Sequence, residues 1–142
     1  QEAVANARKK RLPLCAAMID VDYFKQVNDR YGHLAGDIAL RQLGAMLREE
    51  FPTPYICGRY GGEEFCVIAP CMDKKDFALK LENFRTTVSA KPVQIGALSI
   101  VISVSIGMAE ERASELETLI SAADSQLYQA KREGRDRFVW QP

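Results

Sequence analysis

The sequence predicts an α+β domain of the ferredoxin-like type, a mostly antiparallel sheet with helices packed on one face. Three observations carry this. The elements read in the order β-α-β-β-α-β, with extra strand material before the last helix. The chain has 142 residues, enough for one domain with a sizeable core. No repeat, low-complexity tract or internal linker interrupts it.

Residues 1 to 11 are polar and helix-like, and read as the middle of a helix, as in a domain cut from a longer protein. "LCAAMIDV" (14–21) is apolar and fits a buried strand. "FKQVNDRYG" and "GDIALRQLGAMLREEF" have helical spacing, with an apolar stripe of Ile38, Leu40, Leu43, Met46 and Leu47. Asp37 is placed to cap the second of these, and Pro52 and Pro54 end it. Residues 55 to 69 form a hairpin around Gly61-Gly62. "DKKDFALKLENFRTTVSA" is an amphipathic helix with Phe77, Leu81, Phe84 and Val88 inward. One short strand or edge piece and a longer strand, 98–108, follow. "SELETLISAADSQLYQAKREG" is a helix opened by a Ser114–Glu117 capping box and stopped at Gly134, and "RFVW" closes as a short strand.

Nineteen Lys and Arg balance nineteen Asp and Glu, so no net field draws the chain to nucleic-acid polymers or acidic membranes, and any anion site is local. The four cysteines form no CxxC pair, and three lie in or beside apolar strands. Buried reduced thiols, and hence a cytoplasmic setting, are expected. No apolar stretch approaches the ~20 residues of a membrane span, and no secretory signal is recognisable.

The chemistry concentrates at strand ends. Asp20 and Asp22 finish the first strand; Glu63 and Glu64 follow the hairpin glycines. Asp22 is also placed to cap the helix beginning near Phe24. Two carboxylates ~4 Å apart repel by roughly 4 kcal/mol at an effective dielectric of 20, so gathering Asp20 and Glu63 suggests a divalent cation between them. Asn28, His33 and Asp37 lie in "NDRYGHLAGD"; Asn and Asp can read a guanine edge, while His33 alone fits an ordinary loop histidine. Lys131 and Arg135 fit either the charge of a helix C-terminus or phosphate binding.

Four ordered blocks resemble the GGDEF domain of diguanylate cyclases: "DVDYFKQVNDRYGHLAGD" (20–37), "GGEEF" (61–65, a variant of the signature), "SIGMA" (105–109) and "AADSQLYQAKREGRDR" (122–137). The family's usual opening segment with its "LTGLxNR" motif is missing, which fits a truncated domain from a longer sensor protein. The resemblance implies a nucleotidyl-cyclase palm with helices packed around its sheet. It implies conversion of two GTP into cyclic di-GMP and two pyrophosphates, with one GTP on each of two facing domains. Asp20, the Val21 carbonyl and Glu63 would bind Mg²⁺ or Mn²⁺, and Glu64 would contribute to a second metal. Glu63 would also be the base for the 3′-hydroxyl. Lys25 would stabilise transition-state charge, with Tyr23 and Phe24 along the phosphates. Asn28 and Asp37 would read guanine, with His33 beside them, and Lys131 and Arg135 would hold the terminal phosphates. Gly61 and Gly62 would let the backbone approach nucleotide. A module that binds GTP or cyclic di-GMP without turnover, or a cyclase that takes ATP, are the competing readings. Many members carry an inhibitory product site written RxxD; here Pro52 and Tyr55 occupy its Arg and Asp positions. No inhibition through that site is expected.

Overall fold

The computed structural model describes residues 13–70, 73–112 and 115–140. The helix expected over residues 1 to 11, Ser114 of the capping box and Cys71 lie outside the described residues.

The centre of the sheet is β1 (Pro13–Val21). It pairs antiparallel with β3 (Glu64–Pro70) on one side and β6 (Val104–Arg112) on the other. β2 (Ile56–Gly61) extends the sheet beyond β3, and the two-residue β7 (Phe138–Val139) lies parallel to β6. The resulting order, β2-β3-β1-β6-β7, is the ferredoxin-like arrangement with one strand added at an edge. A separate hairpin joins β4 (Val93–Ile95) to β5 (Leu98–Ile100). Four helices complete the described fold: α1 (Phe24–Tyr31), α2 (His33–Glu50), α3 (Lys74–Ala90) and α4 (Leu116–Arg132).

The helices cover both faces of the sheet, which corrects the one-faced expectation. Cys15, Ala17 and Ile19 of β1 belong to a core with Leu40, Leu43 and Leu47 of α2 and Phe77, Leu81, Phe84 and Val88 of α3. Leu14, Ala16 and Met18, on the opposite face, pack with Leu119, Ala123 and Leu127 of α4. The reason is in β1 itself. Residues 14 to 19 are apolar at both parities, and such a strand must be covered twice. Burying each large apolar side chain contributes about 1.5–3 kcal/mol, so leaving either face wet would be costly. α4 sits so close that a Cβ on Gly107 of β6 would strike the backbone of Leu127 and Ala123.

Local chemistry explains the boundaries. Asp73 caps α3, accepting from the backbone N–H groups of Lys75 (2.7 Å) and Asp76, a contact of about 1 kcal/mol. Gly32, at φ 93°, alone separates α1 from α2. α2 therefore starts at His33, and Asp37 lies inside it and is not its cap. Gly36 does not break the helix. It is buried where any Cβ would collide with the Asn28 amide.

The long strand expected over 98–108 is two strands, with a break at 101–103. Ile100, Ile102 and Val104 are all buried, so the alternation runs through the break without marking it. What changes is the partner, since β5 pairs with β4 whereas β6 pairs with β1.

Candidate active site

At the end of β1, Asp20 stands opposite Glu64 in the β1–β3 register. Glu63 occupies the turn, and its carbonyl accepts from Val21 N–H at 3.3 Å. Arg59 braces the same turn, donating from Nε to the Gly62 carbonyl at 2.9 Å. The space beside Gly61 and Gly62 is open: a Cβ at either would meet nothing within 4 Å.

A cleft of about 300 Å³ opens at this strand end. It gathers Asp20, Val21, Tyr23, Phe24, Lys25, Glu63, Lys131 and Arg135, and adds Asp22 and Gln26. Lys25 is exposed and has no ion-pair partner among the described residues. Lys131, at the last turn of α4, donates to Asp20 Oδ2. Arg135 follows on a left-handed turn and lays its guanidinium over the Tyr23 ring, 4.8 Å from its centroid.

Asp20 is only 4% exposed, and its Oδ1 is buried without a hydrogen-bond partner among the described residues. Burial pushes its carboxyl above the usual range; Lys131 pulls it back, and Glu63 and Asp22 push it further up. Glu64 is raised too, first by burial, then by Asp20 and Asp124, against Lys131. An orphaned, buried, acceptor-only oxygen beside a second carboxylate suits a divalent cation. Among the described residues no three His, Cys, Asp or Glu form a ready-made metal cluster. That donor set fits Mg²⁺, which takes one or two carboxylates and completes its shell with phosphates and water.

Asn28, His33 and Asp37 do not line this cleft. They sit next to it, on the last turn of α1 and the first turns of α2. Phe24, which does line the cleft, and Asn28 are one helical turn apart on α1, and both meet the bare Cα of Gly36. Asn28 Oδ1 is the second buried side-chain oxygen without a partner among the described residues. His33 and Asp37 are exposed.

Asp22 does not cap α1, whose N-cap is Tyr23, in a left-handed conformation (φ 54°) without a side-chain cap. The Asp22 carboxylate instead accepts from Ser103 Oγ (2.6 Å), Ser105 Oγ (2.6 Å) and Asp136 N–H (2.9 Å). Sequence reasoning missed this hub, and with it the packing roles of Gly36 and Gly107. The one available signal was the pair of serines two apart in "VISVSIG", which places both hydroxyls on one side of a strand.

Residues 1–137 match the family model described as diguanylate cyclase, GGDEF domain. The chain is 35% identical over 139 residues to diguanylate cyclase DgcP of Pseudomonas aeruginosa, covering 97% of this chain and 21% of that protein. It is 31% identical over 138 residues to diguanylate cyclase A of Treponema denticola, covering 96% and 37%. It thus spans well under half the length of these relatives. Among solved structures, the coiled coil and GGDEF domain of DgcB from Caulobacter crescentus in complex with c-di-GMP superposes with a TM-score of 0.91 at 31% identity, covering 99% of this chain and 75% of that one. The active GGEEF domain of a diguanylate cyclase from Vibrio cholerae gives 0.89 at 29% identity, covering 99% and 90%. With its palm-like sheet, its strand-end carboxylates and these relatives, the chain belongs to the diguanylate cyclase GGDEF domain family.

Proposed function

We propose that this domain condenses two GTP molecules into cyclic di-GMP, releasing two pyrophosphates. Each 3′-oxygen bonds to the α-phosphorus of the other nucleotide as the α–β phosphoanhydride bond breaks. One domain offers one set of nucleotide residues, so two domains meet face to face, each holding one GTP. The observation that carries this reading is the unpartnered Asp20 Oδ1 beside Glu63, in a cleft that also collects Lys25, Lys131 and Arg135.

Asp20, Glu63 and the Val21 carbonyl would hold Mg²⁺ or Mn²⁺, with Glu64 contributing to a second ion. The cation supplies Lewis acidity and orientation when bound. Glu63 takes the proton of the 3′-hydroxyl. Lys25 offsets charge gathering on the phosphate oxygens. Lys131 and Arg135 grip the terminal phosphates, and Tyr23 and Phe24 flank them. The open space beside Gly61 and Gly62 lets the turn backbone approach nucleotide. Asn28 and Asp37 read the guanine edge, with His33 beside them; the unsatisfied Asn28 oxygen supports this assignment.

A second reading, binding without turnover, draws support from the Lys131–Asp20 pair, in which an ammonium stands on a carboxylate that the reaction needs for metal. Incubation with GTP and Mg²⁺ followed by chromatography separates the readings. Cyclic di-GMP supports the cyclase, and bound but unconverted GTP supports the module. Cyclic AMP formed from ATP would mean that base recognition is misassigned.

The domain would act as the catalytic part of a longer cytoplasmic or membrane-anchored protein governed by a sensor domain. The far greater length of its curated relatives supports this. Balanced charge supports a domain that itself contacts neither membrane nor nucleic-acid polymer. It would also lack the inhibitory product site. Tyr55 packs its ring on Phe51 and Phe77 under the Lys80 ammonium and offers no carboxylate there, and Pro52 offers no guanidinium.

A further inference from the structure

Gly134, Arg135 and Asp136 have positive φ in succession, at 123°, 64° and 45°. Only the glycine takes that conformation freely. Two adjacent non-glycine residues stay there only when their surroundings over-determine them. Asp136 is held from two sides. From the sheet, the buried Asp22 carboxylate accepts its N–H, and Ser103 and Ser105 fix that carboxylate in turn. From α3, Arg85 Nη1 donates to both the Asp136 carbonyl (3.1 Å) and its Oδ1 (2.8 Å), while Ser89 Oγ donates to the same Oδ1 at 3.2 Å.

Arg85 is itself fixed. Its Nε donates to both Glu82 oxygens, at 3.1 and 3.0 Å, and its Nη2 donates to Glu82 Oε1. Glu82 thus occupies one edge of the guanidinium, which leaves the other edge aimed at the loop. A planar fork can serve two partners in this way, whereas a lysine ammonium cannot. Arg85 does not line the cleft. Its grip ends one residue from Arg135, whose guanidinium lies over Tyr23 at the cleft wall.

We propose that Arg85 is a positioning residue for the phosphate end of the nucleotide cleft, acting through Asp136 on Arg135. The inference rests on reading that cleft as the GTP site. Without Arg85, Asp136 keeps only the Asp22 carboxylate and the single Ser89 hydroxyl in its left-handed turn, and its carbonyl loses its side-chain donor. The two strained residues then relax, and Arg135 leaves Tyr23. Among the described residues, Asn28, His33 and Asp37 of the guanine end share no hydrogen bond or ion pair with this network, and the guanine end stays in place.

Two measurements on the whole domain test this. The first is the NMR signal of the Arg135 Nε–Hε group, assigned by its loss in Arg135→Lys and shifted by the Tyr23 ring current. The shift should collapse toward the value of a free arginine in Arg85→Ala and in Arg85→Lys, with the sheet amides unmoved. Asp136→Ala, which removes the Oδ1 that accepts from Arg85 and Ser89, covers the case in which an Arg85 variant does not fold, and should show the same collapse. The second is titration with a non-hydrolysable GTP analogue and with GMP. Affinity for the analogue should fall about 5- to 20-fold in Arg85→Lys, and affinity for GMP should not change.

A ring-current shift retained in both Arg85→Lys and Asp136→Ala overturns the proposal. So does an equal loss of affinity for the two nucleotides, or a collapsed shift with undiminished affinity for the analogue. If the wild-type domain binds neither nucleotide, the GTP reading fails, and the NMR measurement alone then decides whether Arg85 positions Arg135.

Discussion

Lys131 donates to one oxygen of Asp20 and leaves the other buried with no partner among the described residues. A single amine thus satisfies half of a carboxylate taken out of water, and burial, with Glu63 and Asp22 beside it, raises the carboxyl's pKa more than Lys131 lowers it. Asp20 therefore opposes folding when ionised. A buried acid whose pKa is higher folded than unfolded binds more protons in the folded state, so stability declines as pH rises. The decline begins near the unfolded value of 3.8 and is complete above the folded pKa. Asp20→Asn, measured without metal, should melt roughly 2–6 °C higher than the wild type at pH 7. The difference should shrink as pH falls toward 4, and turnover should be lost. A lower melting temperature at neutral pH would show that the Lys131 pair outweighs the burial cost.

Glu63→Gln should leave the fold intact and reduce turnover by several orders of magnitude, since it removes a ligand charge and a base at once. Circular dichroism and a GTP assay together check this. Activity close to wild type would end the mechanism proposed for the turn.

If each domain carries one nucleotide, the rate should rise faster than linearly with protein concentration while the domain is mostly monomer. Fusion to a dimeric coiled coil should raise it further by supplying effective concentration. Strict proportionality in a dilution series would argue for a reaction completed within one domain.

Gly107→Ala should destabilise the protein by about 1–3 kcal/mol, because the new Cβ meets helix backbone and not a side chain that can swing away. Denaturant melts are sufficient to measure it. Moving α4 also moves Lys131, so KM for GTP should rise in the same variant. An alanine protein with unchanged midpoint and unchanged KM would mean the helix has room to yield.

Calorimetry with cyclic di-GMP, with the active site filled by a non-hydrolysable GTP analogue, should show no tight binding at Pro52 and Tyr55. Tight residual binding abolished by Tyr55→Ala would restore a product site there.

Much of this was legible in local pattern. The four inward residues of α3, the hairpin at Gly61-Gly62 and the acids at the end of β1 each announce themselves within a few positions. The features that were not legible depend on distant partners. Asp22 looks like a cap because its real donors, Ser103, Ser105 and Asp136, lie 81 to 114 residues away. Gly36 looks like a helix breaker because nothing nearby in sequence shows that the Asn28 amide fills the space beside it. The one-faced sheet was a misreading of visible data. Apolar residues at both parities of β1 already required a second layer.

That second layer has a consequence for biosynthesis. Among the described residues, α4 supplies the apolar cover for Leu14, Ala16, Met18 and Ile68, and all four leave the ribosome long before it does. At ~5–20 residues per second, the roughly sixty residues from the end of β3 to the end of α4 take about 3–12 seconds to make. For that interval the face that α4 will cover stays wet, while α3 and β6 are made in time to complete the opposite core. Lys131 and Arg135 arrive with the helix and the loop that follows it, so the same event that hides the last apolar surface also completes the cleft. A chain released early thus exposes the apolar side chains that α4 would cover and lacks these two cations of the cleft.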